Sequence, residues 1–134
     1  METENKIKAQ KILEEAIRLM SNGQKELLLA NKNGKVYQDV KHLRLACGAF
    51  YLAVLKAIDG MFLLRNIPKP KRRPSIEYYT DGLAKIDKKM LNSLNVAYEV
   101  LHLCGYYDGL NDIGVMKRGF EEAEYLISKL KQSI

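Results

Sequence analysis

The chain has 134 residues, 47% of them hydrophobic and 28% charged, with 22 Lys and Arg against 16 Asp and Glu for a net charge of +6. That length and apolar fraction describe one domain, residues 1–134, with one core of its own; they exclude wholesale disorder and any need for disulfides or a structural metal. The longest unbroken apolar run, Ala49–Leu55, has seven residues, where a spanning helix needs about 20, so no membrane partner is expected.

The opening METENKIKAQ is charged and lacks an apolar core. No signal peptide is expected, and the location that follows is cytoplasmic. Cys47 and Cys104 stand far apart without CxxC spacing and read as two reduced, buried thiols. Only His42 and His102 could join them, so neither a metal site nor a cofactor is expected.

Helical periodicity runs through the chain, and the three prolines are confined to positions 68, 70 and 74. The first helix is predicted over about Thr3 to Ala30, with Ile7, Leu13, Ile17, Met20, Leu27 and Leu28 on its face. Ser21-Asn22-Gly23 predicts a kink, and Asn31-Lys32-Asn33-Gly34 a stop.

The second helix is predicted over about Lys35 to Asn66. Val36, Val40, Leu43, Cys47, Phe50, Val54, Ile58 and Met61 step along it by threes and fours. A second row, Leu45, Leu52, Leu55 and Phe62, makes it apolar on more than one side and therefore central. Gly48 and Gly60 inside it suggest close helix contacts.

Residues 67–74, IPKPKRRP, form a stiff extended loop. Ser75 caps a short helix to about Lys85, with Ile76, Tyr79, Leu83 and Ile86 as its face. Asp87 caps the next, to about Tyr107, through Met90, Leu94, Ala97, Leu101 and Cys104. A last helix starts near Asn111 or Asp112 and runs to about Gln132 through Ile113, Met116, Phe120, Ala123, Ile127 and Leu130. The fold class is all-α, an up-and-down bundle of four main helices and one short one.

Three features stand out chemically. Arg65, Lys69, Lys71, Arg72 and Arg73 fall in one acid-free stretch; without these five, 17 cations face 16 acids, so the basic character is local. Such a patch suits nucleic-acid or nucleotide phosphates, although no aromatic interleaves with it and Tyr78 and Tyr79 follow only a turn later. Tyr98, His102 and Tyr106 share a face at i, i+4, i+8, with Glu99 three residues before the imidazole. An imidazole with a carboxylate and two phenols can do acid–base work, and the same residues can equally pack at a core edge with their polar atoms bonded. Asp59 interrupts the row Leu52, Leu55, Phe62, where a carboxylate needs a donor or its pKa rises. A candidate pocket is therefore Asp59, Tyr98, Glu99, His102 and Tyr106. No phosphate-binding glycine loop, HExxH or GxSxG occurs.

Val36-Tyr37-Gln38-Asp39-Val40-Lys41, Val54–Asp59, Leu83–Asn92, Ala97–Leu103 and Tyr107-Asp108-Gly109 carry a resemblance over nearly the whole chain. They resemble a small Bacteroidetes family of uncharacterised all-helical proteins. Through the Tyr-Glu-x-Leu-His and Tyr-Asp-Gly elements the chain is similar to the HEPN superfamily, bundles like the C-terminal domain of kanamycin nucleotidyltransferase. The resemblance implies a dimer. It also implies one of several roles: toxin ribonuclease, companion of a minimal nucleotidyltransferase, or inactive binding module. The ribonucleases carry Arg-x(4–6)-His. Here Lys35, Val36 and Tyr37 precede His42, and Asn95, Val96 and Ala97 precede His102, so that site does not carry over. The sequence thus favours a non-catalytic module that self-associates through the surplus apolar row of the second helix and binds a partner. An RNA- or nucleotide-binding accessory protein using loop 65–73, and an enzyme with a pocket around Asp59 and His102, are the alternatives.

Overall fold

The computed structural model describes residues 2–134. Helix α1 spans Glu2–Ala30, and α2 spans Val40–Leu64. The buried positions of α1 are Ala9, Leu13, Ala16, Met20, Gly23 and Ala30. On α2, Leu43, Cys47, Phe50, Val54, Ala57 and Met61 are buried with the same alternation of fours and threes. These are matching seams of an antiparallel pair, the spacing that keeps two helices in contact along their length.

The seam on α1 differs from the expected one. Ile7, Ile17 and Leu28 are 57%, 47% and 78% exposed. Small residues hold the seam instead, because they let α2 approach closely. The helix runs unbroken through Ser21-Asn22-Gly23. A Cβ on Gly23 would lie 2.6 Å from Phe50 Cε1, so the Phe50 ring occupies the space that the glycine leaves.

Between the helices the expected stop becomes a small hairpin. Strand β1 (Lys32–Asn33) pairs antiparallel with β2 (Val36–Tyr37). Asn31 and Gly34 have φ of +56° and +62°, the left-handed region that Asn and Gly tolerate best. Helix α2 therefore begins at Val40 rather than Lys35. The Asp39 carboxylate caps it, accepting from the Lys41 and His42 amides at 3.1 and 3.4 Å. Glu26 reaches His42 Nδ1 at 2.7 Å and ties the end of α1 to the start of α2.

Helix α3 (Ile76–Ile86) is capped by Ser75, and α4 (Lys88–Ala97) by Asp87. Helix α4 runs directly into a π-helix, Tyr98–Tyr107. Helix α5 (Ile113–Ser133) is capped by Asp112. The start of α5 is stitched to the hairpin, with the Tyr37 amide donating to Asn111 O at 2.9 Å and the Ile113 amide to Lys35 O at 2.9 Å. Counting α4 and the π-helix as one rod gives four long helices and a short one, the expected all-α bundle.

Helix α2 is its centre. An 18-residue window within it has a mean hydropathy of 1.7 and is 56% buried, so the helix is long and apolar enough to cross a membrane and serves here as a core helix. Phe50 meets Phe120 of α5 at 4.8 Å between ring centroids. A Cβ on Gly60 would lie 2.6 Å from Leu130 Cδ2, the close contact that its sequence position suggested. Cys47 is buried against Met116, with Sγ and Sδ 3.6 Å apart, and burial pushes its thiol up to about 12.

The continuation of α4 as a π-helix is not written in the apolar spacing. In a π-turn the amide bonds five residues back, as the Asp108 amide does to Leu103 O at 3.0 Å. Gly105 presses on the Cys47 sulfur, where a side chain would collide.

Candidate aromatic and basic site

The wider π-turn changes which residues share a face. Residues four and five apart both overlie one another, so Tyr106 and Tyr107 both meet His102. The His102 and Tyr106 rings are parallel to within 1° with centroids 6.3 Å apart. Tyr107 stands at 82° to each, 5.0 Å from His102 and 5.3 Å from Tyr106. Tyr98 lies 5.3 Å from His102. From α2, Tyr51 stacks on His102 at 4.6 Å and 23°. Gly48, one turn before Tyr51, leaves room for Tyr106, whose Cδ1 would be 3.1 Å from a Cβ there.

Tyr51, His102, Tyr106 and Tyr107 border a surface cavity of about 300 Å³, completed by Gly48, Leu52, Leu55 and Arg73; Tyr98 packs against His102 and Tyr51 without lining it. Tyr106 and Tyr107 are 44% and 61% exposed. Partial burial holds the His102 pKa below its ordinary 6.5, so the imidazole is neutral at pH 7. Burial, then the neighbouring Tyr98, raises the Tyr51 phenol. Glu99 does not complete an acid–base pair at this cavity. It is exposed, and its charge adds to burial in raising the Cys104 thiol.

Asp59 is not in this cavity either. It lies on the same side of α2 as Tyr51 but eight residues further on, about 12 Å along the axis. There it lines a groove of about 560 Å³ between α1, the end of α2 and the loop, with Lys8, Lys11, Phe62, Lys69 and Tyr78. Its Oδ1 is buried with no hydrogen-bond partner among the described residues. Burial raises the Asp59 pKa, opposed by a side-chain hydrogen bond from Tyr79 and the charges of Lys69 and Lys56. Asp59 and His102 thus line different cavities, while the Tyr79 phenol, raised by burial, then by Asp59 and least by Tyr51, links Asp59 to the ring that stacks on His102.

The basic loop runs between the two centres. Tyr78 Oη donates to Pro68 O at 3.1 Å and holds the loop against α3. Lys69 borders the Asp59 groove and Arg73 the aromatic cavity. Lys71 and Arg72 are exposed between them. Arg65 does not join this arrangement; it lines a third cleft with Asp87 and Lys129. The five cations thus form a four-residue track and one outlier.

Sequence reasoning missed Tyr51, Tyr107 and the pairing of Arg73 with aromatic rings. The interleaving that looked absent in the loop is supplied by residues 22 and more positions away in the chain. The signal available was the second apolar row of α2, since Leu52, Leu55 and Asp59 mark the side on which both centres lie.

A family model described as a domain of unknown function (DUF5618) matches residues 11–132. Among solved structures, the chain is similar to a protein of unknown function from Dyadobacter fermentans, with 36% identity over 94% of this chain and 98% of that chain and a TM-score of 0.85. No curated protein matches it. The chain belongs to the DUF5618 family.

Proposed function

We propose that this DUF5618 protein is a non-catalytic binding module for single-stranded nucleic acid, RNA in the first instance. The observation that carries this reading is Arg73 on the rim of a cavity walled by Tyr51, His102, Tyr106 and Tyr107. Single-strand binders combine cations that follow the phosphates with rings on which bases stack, each stacked base contributing about 1–3 kcal/mol. Tyr106 and Tyr107 offer half-exposed rings, and Lys69, Lys71, Arg72 and Arg73 offer the cations. The imidazole stands among aromatic rings, and no carboxylate lines its cavity, surroundings that favour stacking over acid–base work. The distance along α2 between Asp59 and the imidazole cluster removes support from an enzyme pocket joining them. The HEPN-like reading of the bundle agrees with a binding role, since the ribonuclease arginine is missing before both histidines. Free Cys47 and Cys104 suit a cytoplasmic setting.

The test is fluorescence anisotropy of a labelled single-stranded RNA, with a variant carrying Lys69, Lys71, Arg72 and Arg73 changed to Ala. Binding that weakens with salt and is lost in the variant supports the reading. Absence of binding at low salt rejects it.

Self-association is a second reading, favoured by one observation. Leu45 and Leu52 are 46% and 53% exposed on the side of α2 that also carries Gly48 and Leu55. An apolar row left open on a central helix is a surface that a second copy can cover. A dimer mass in sedimentation, reduced to a monomer by Leu45→Lys with Leu52→Lys, supports it; a monomer in the wild-type protein rejects it.

A further inference from the structure

The hairpin that joins α1 to α2 has one covered edge and one open edge. On the covered side Val36 bridges to Asp112. There the Tyr37 amide donates to Asn111 O at 2.9 Å, and Asn111 Nδ2 donates to Tyr37 O at 3.0 Å. Tyr37 thus directs its amide and carbonyl away from β1. Lys32 stands opposite it in the register. The two form a non-hydrogen-bonded pair, in which each residue turns its amide and carbonyl outward from the other strand. Strand β1 has no neighbour but β2 among the described residues. The Lys32 backbone therefore presents a donor and an acceptor on an open edge.

Beside this edge lies a groove of about 530 Å³, lined by Gln24, Leu27, Leu28, Asn31, Lys32 and Tyr37. Gln24, Leu27 and Leu28 fall at i, i+3 and i+4 on one face of the end of α1. Leu28 is 78% exposed, far more than a large apolar side chain in this bundle otherwise is. Lys32 shares a sheet face with the buried Tyr37, so a third strand beyond β1 would lay an inward side chain on Leu28. The charge here is one-sided. Lys25, Lys32 and Lys35 are exposed. The two acids of the same stretch, Glu26 and Asp39, face the His42 imidazole at 2.7 and 3.8 Å.

We propose that β1 is a docking edge for an extended acidic segment of a partner protein, which adds a third strand to the hairpin. Its backbone pairs with Lys32, an apolar side chain rests on Leu28, and its flanking carboxylates meet Lys25, Lys32 and Lys35. Strand addition of this kind takes affinity from main-chain hydrogen bonds and specificity from alternate side chains. A second copy of this chain does not fit, because pairing through β1 sets Lys32 beside the same lysine of the other copy, and lysines on edge strands block such pairing. A lipid surface does not fit either, because it buries the Lys32 amide and carbonyl without partners.

The test is fluorescence anisotropy of the full chain with a labelled peptide alternating Glu and Val, beside one alternating Lys and Val. Co-sedimentation with phosphatidylserine vesicles runs in parallel. Saturable binding of the acidic peptide, and of neither other probe, is expected. In amide NMR spectra the Lys32 signal moves downfield on binding and its hydrogen exchange slows. Leu28→Asp, and Lys25→Glu with Lys32→Glu, each weaken binding about tenfold. All three positions are exposed, and circular dichroism confirms that the variants are folded. Tyr106→Ala, at the aromatic cavity, leaves binding unchanged. The proposal is overturned if the acidic peptide does not bind, if both peptides bind equally, if vesicles bind in its place, if the Lys32 amide is unaffected, or if both variants bind like wild type. RNA binding is read with a different probe and depends on Arg73 and Tyr106, so the two readings fail separately.

Discussion

The imidazole of His102 and the phenol ring of Tyr106 lie parallel to within 1°, with centroids 6.3 Å apart, and Tyr107 crosses both at 82°. This arrangement depends on the π-turn. An α-helix brings residue i+4 over residue i, whereas the π-helix also brings i+5, and so gathers three rings on one side. Arg73, arriving from a loop 29 residues earlier in the chain, puts a guanidinium at their edge. Stacking surface and charge then act at one place.

Tyr106→Ala and Arg73→Ala separate these two contributions. Tyr106→Ala is expected to cost about 1–3 kcal/mol of single-strand affinity with little change in salt dependence. Arg73→Ala is expected to lower the slope of log affinity against log salt by about 0.7. Wild type, with four cations on the track, is expected to show a slope of about −3. Anisotropy titrations at several salt concentrations check all three values. Identical slopes for wild type and Arg73→Ala contradict the assignment of Arg73 to phosphate.

Gly23→Ala tests the α1–α2 seam. The exchange gains up to about 1 kcal/mol of helix propensity. Against it stands a Cβ only 2.6 Å from a ring atom of the buried Phe50, and overpacking costs about 1–3 kcal/mol. The net expectation is a loss of about 1 kcal/mol in urea unfolding. A stabilised variant means that the ring yields freely and the seam is looser than described.

Asp87 ends α3, and its carboxylate accepts from the Met90 amide at 3.0 Å to begin α4. Asp87→Ala is expected to cost about 1 kcal/mol, the usual value of an N-cap. The nearby Lys129 adds little because, at 3.9 Å and with both side chains only partly buried, the pair is long and solvent-screened. Restoration by Asp87→Asn or Asp87→Ser identifies the cap as the cause.

Asp59→Asn tests the buried carboxyl. Burial raises its pKa in the folded protein, so at neutral pH the folded state bears the cost of a carboxyl whose ionisation it disfavours. That cost is present above the folded-state pKa. It fades as pH falls through that value and is gone below the ordinary 3.8. The amide removes the ionisation, so Asp59→Asn is expected to have the higher Tm at pH 7, with the difference closing toward pH 4. A lower Tm at pH 7 contradicts the account of Asp59.

Helix number, order and caps were legible because they depend on local chemistry. Ser75 and Asp87 cap as their positions predict, and the last helix starts where expected, capped by Asp112. The α1 seam was not legible, since hydrophobicity favours Ile7 and Ile17 over Ala9 and Ala16, while close approach favours the small residues. The hairpin was missed because two-residue strands show no alternation. The π-helix was missed because the apolar spacing of Tyr98 to Tyr107 reads as α-helical; it shows in the bond from the Asp108 amide to Leu103 O and in Tyr107 meeting His102. The aromatic cavity joins α2, the loop and the π-helix. Charge spacing identified its cations, and helical spacing identified part of its rings. That Arg73 belongs with the rings and Lys69 with Asp59 is a tertiary fact.

The most direct measurement is a two-dimensional NMR titration of the ring protons of His102, Tyr106 and Tyr107 with an unlabelled single-stranded RNA, beside a duplex of the same sequence. The account predicts upfield shifts of these ring signals that saturate with the single strand, grow with affinity at low salt, and are much weaker with the duplex. Saturable RNA binding that leaves all three rings unshifted, or equal shifts with duplex and single strand, would contradict it.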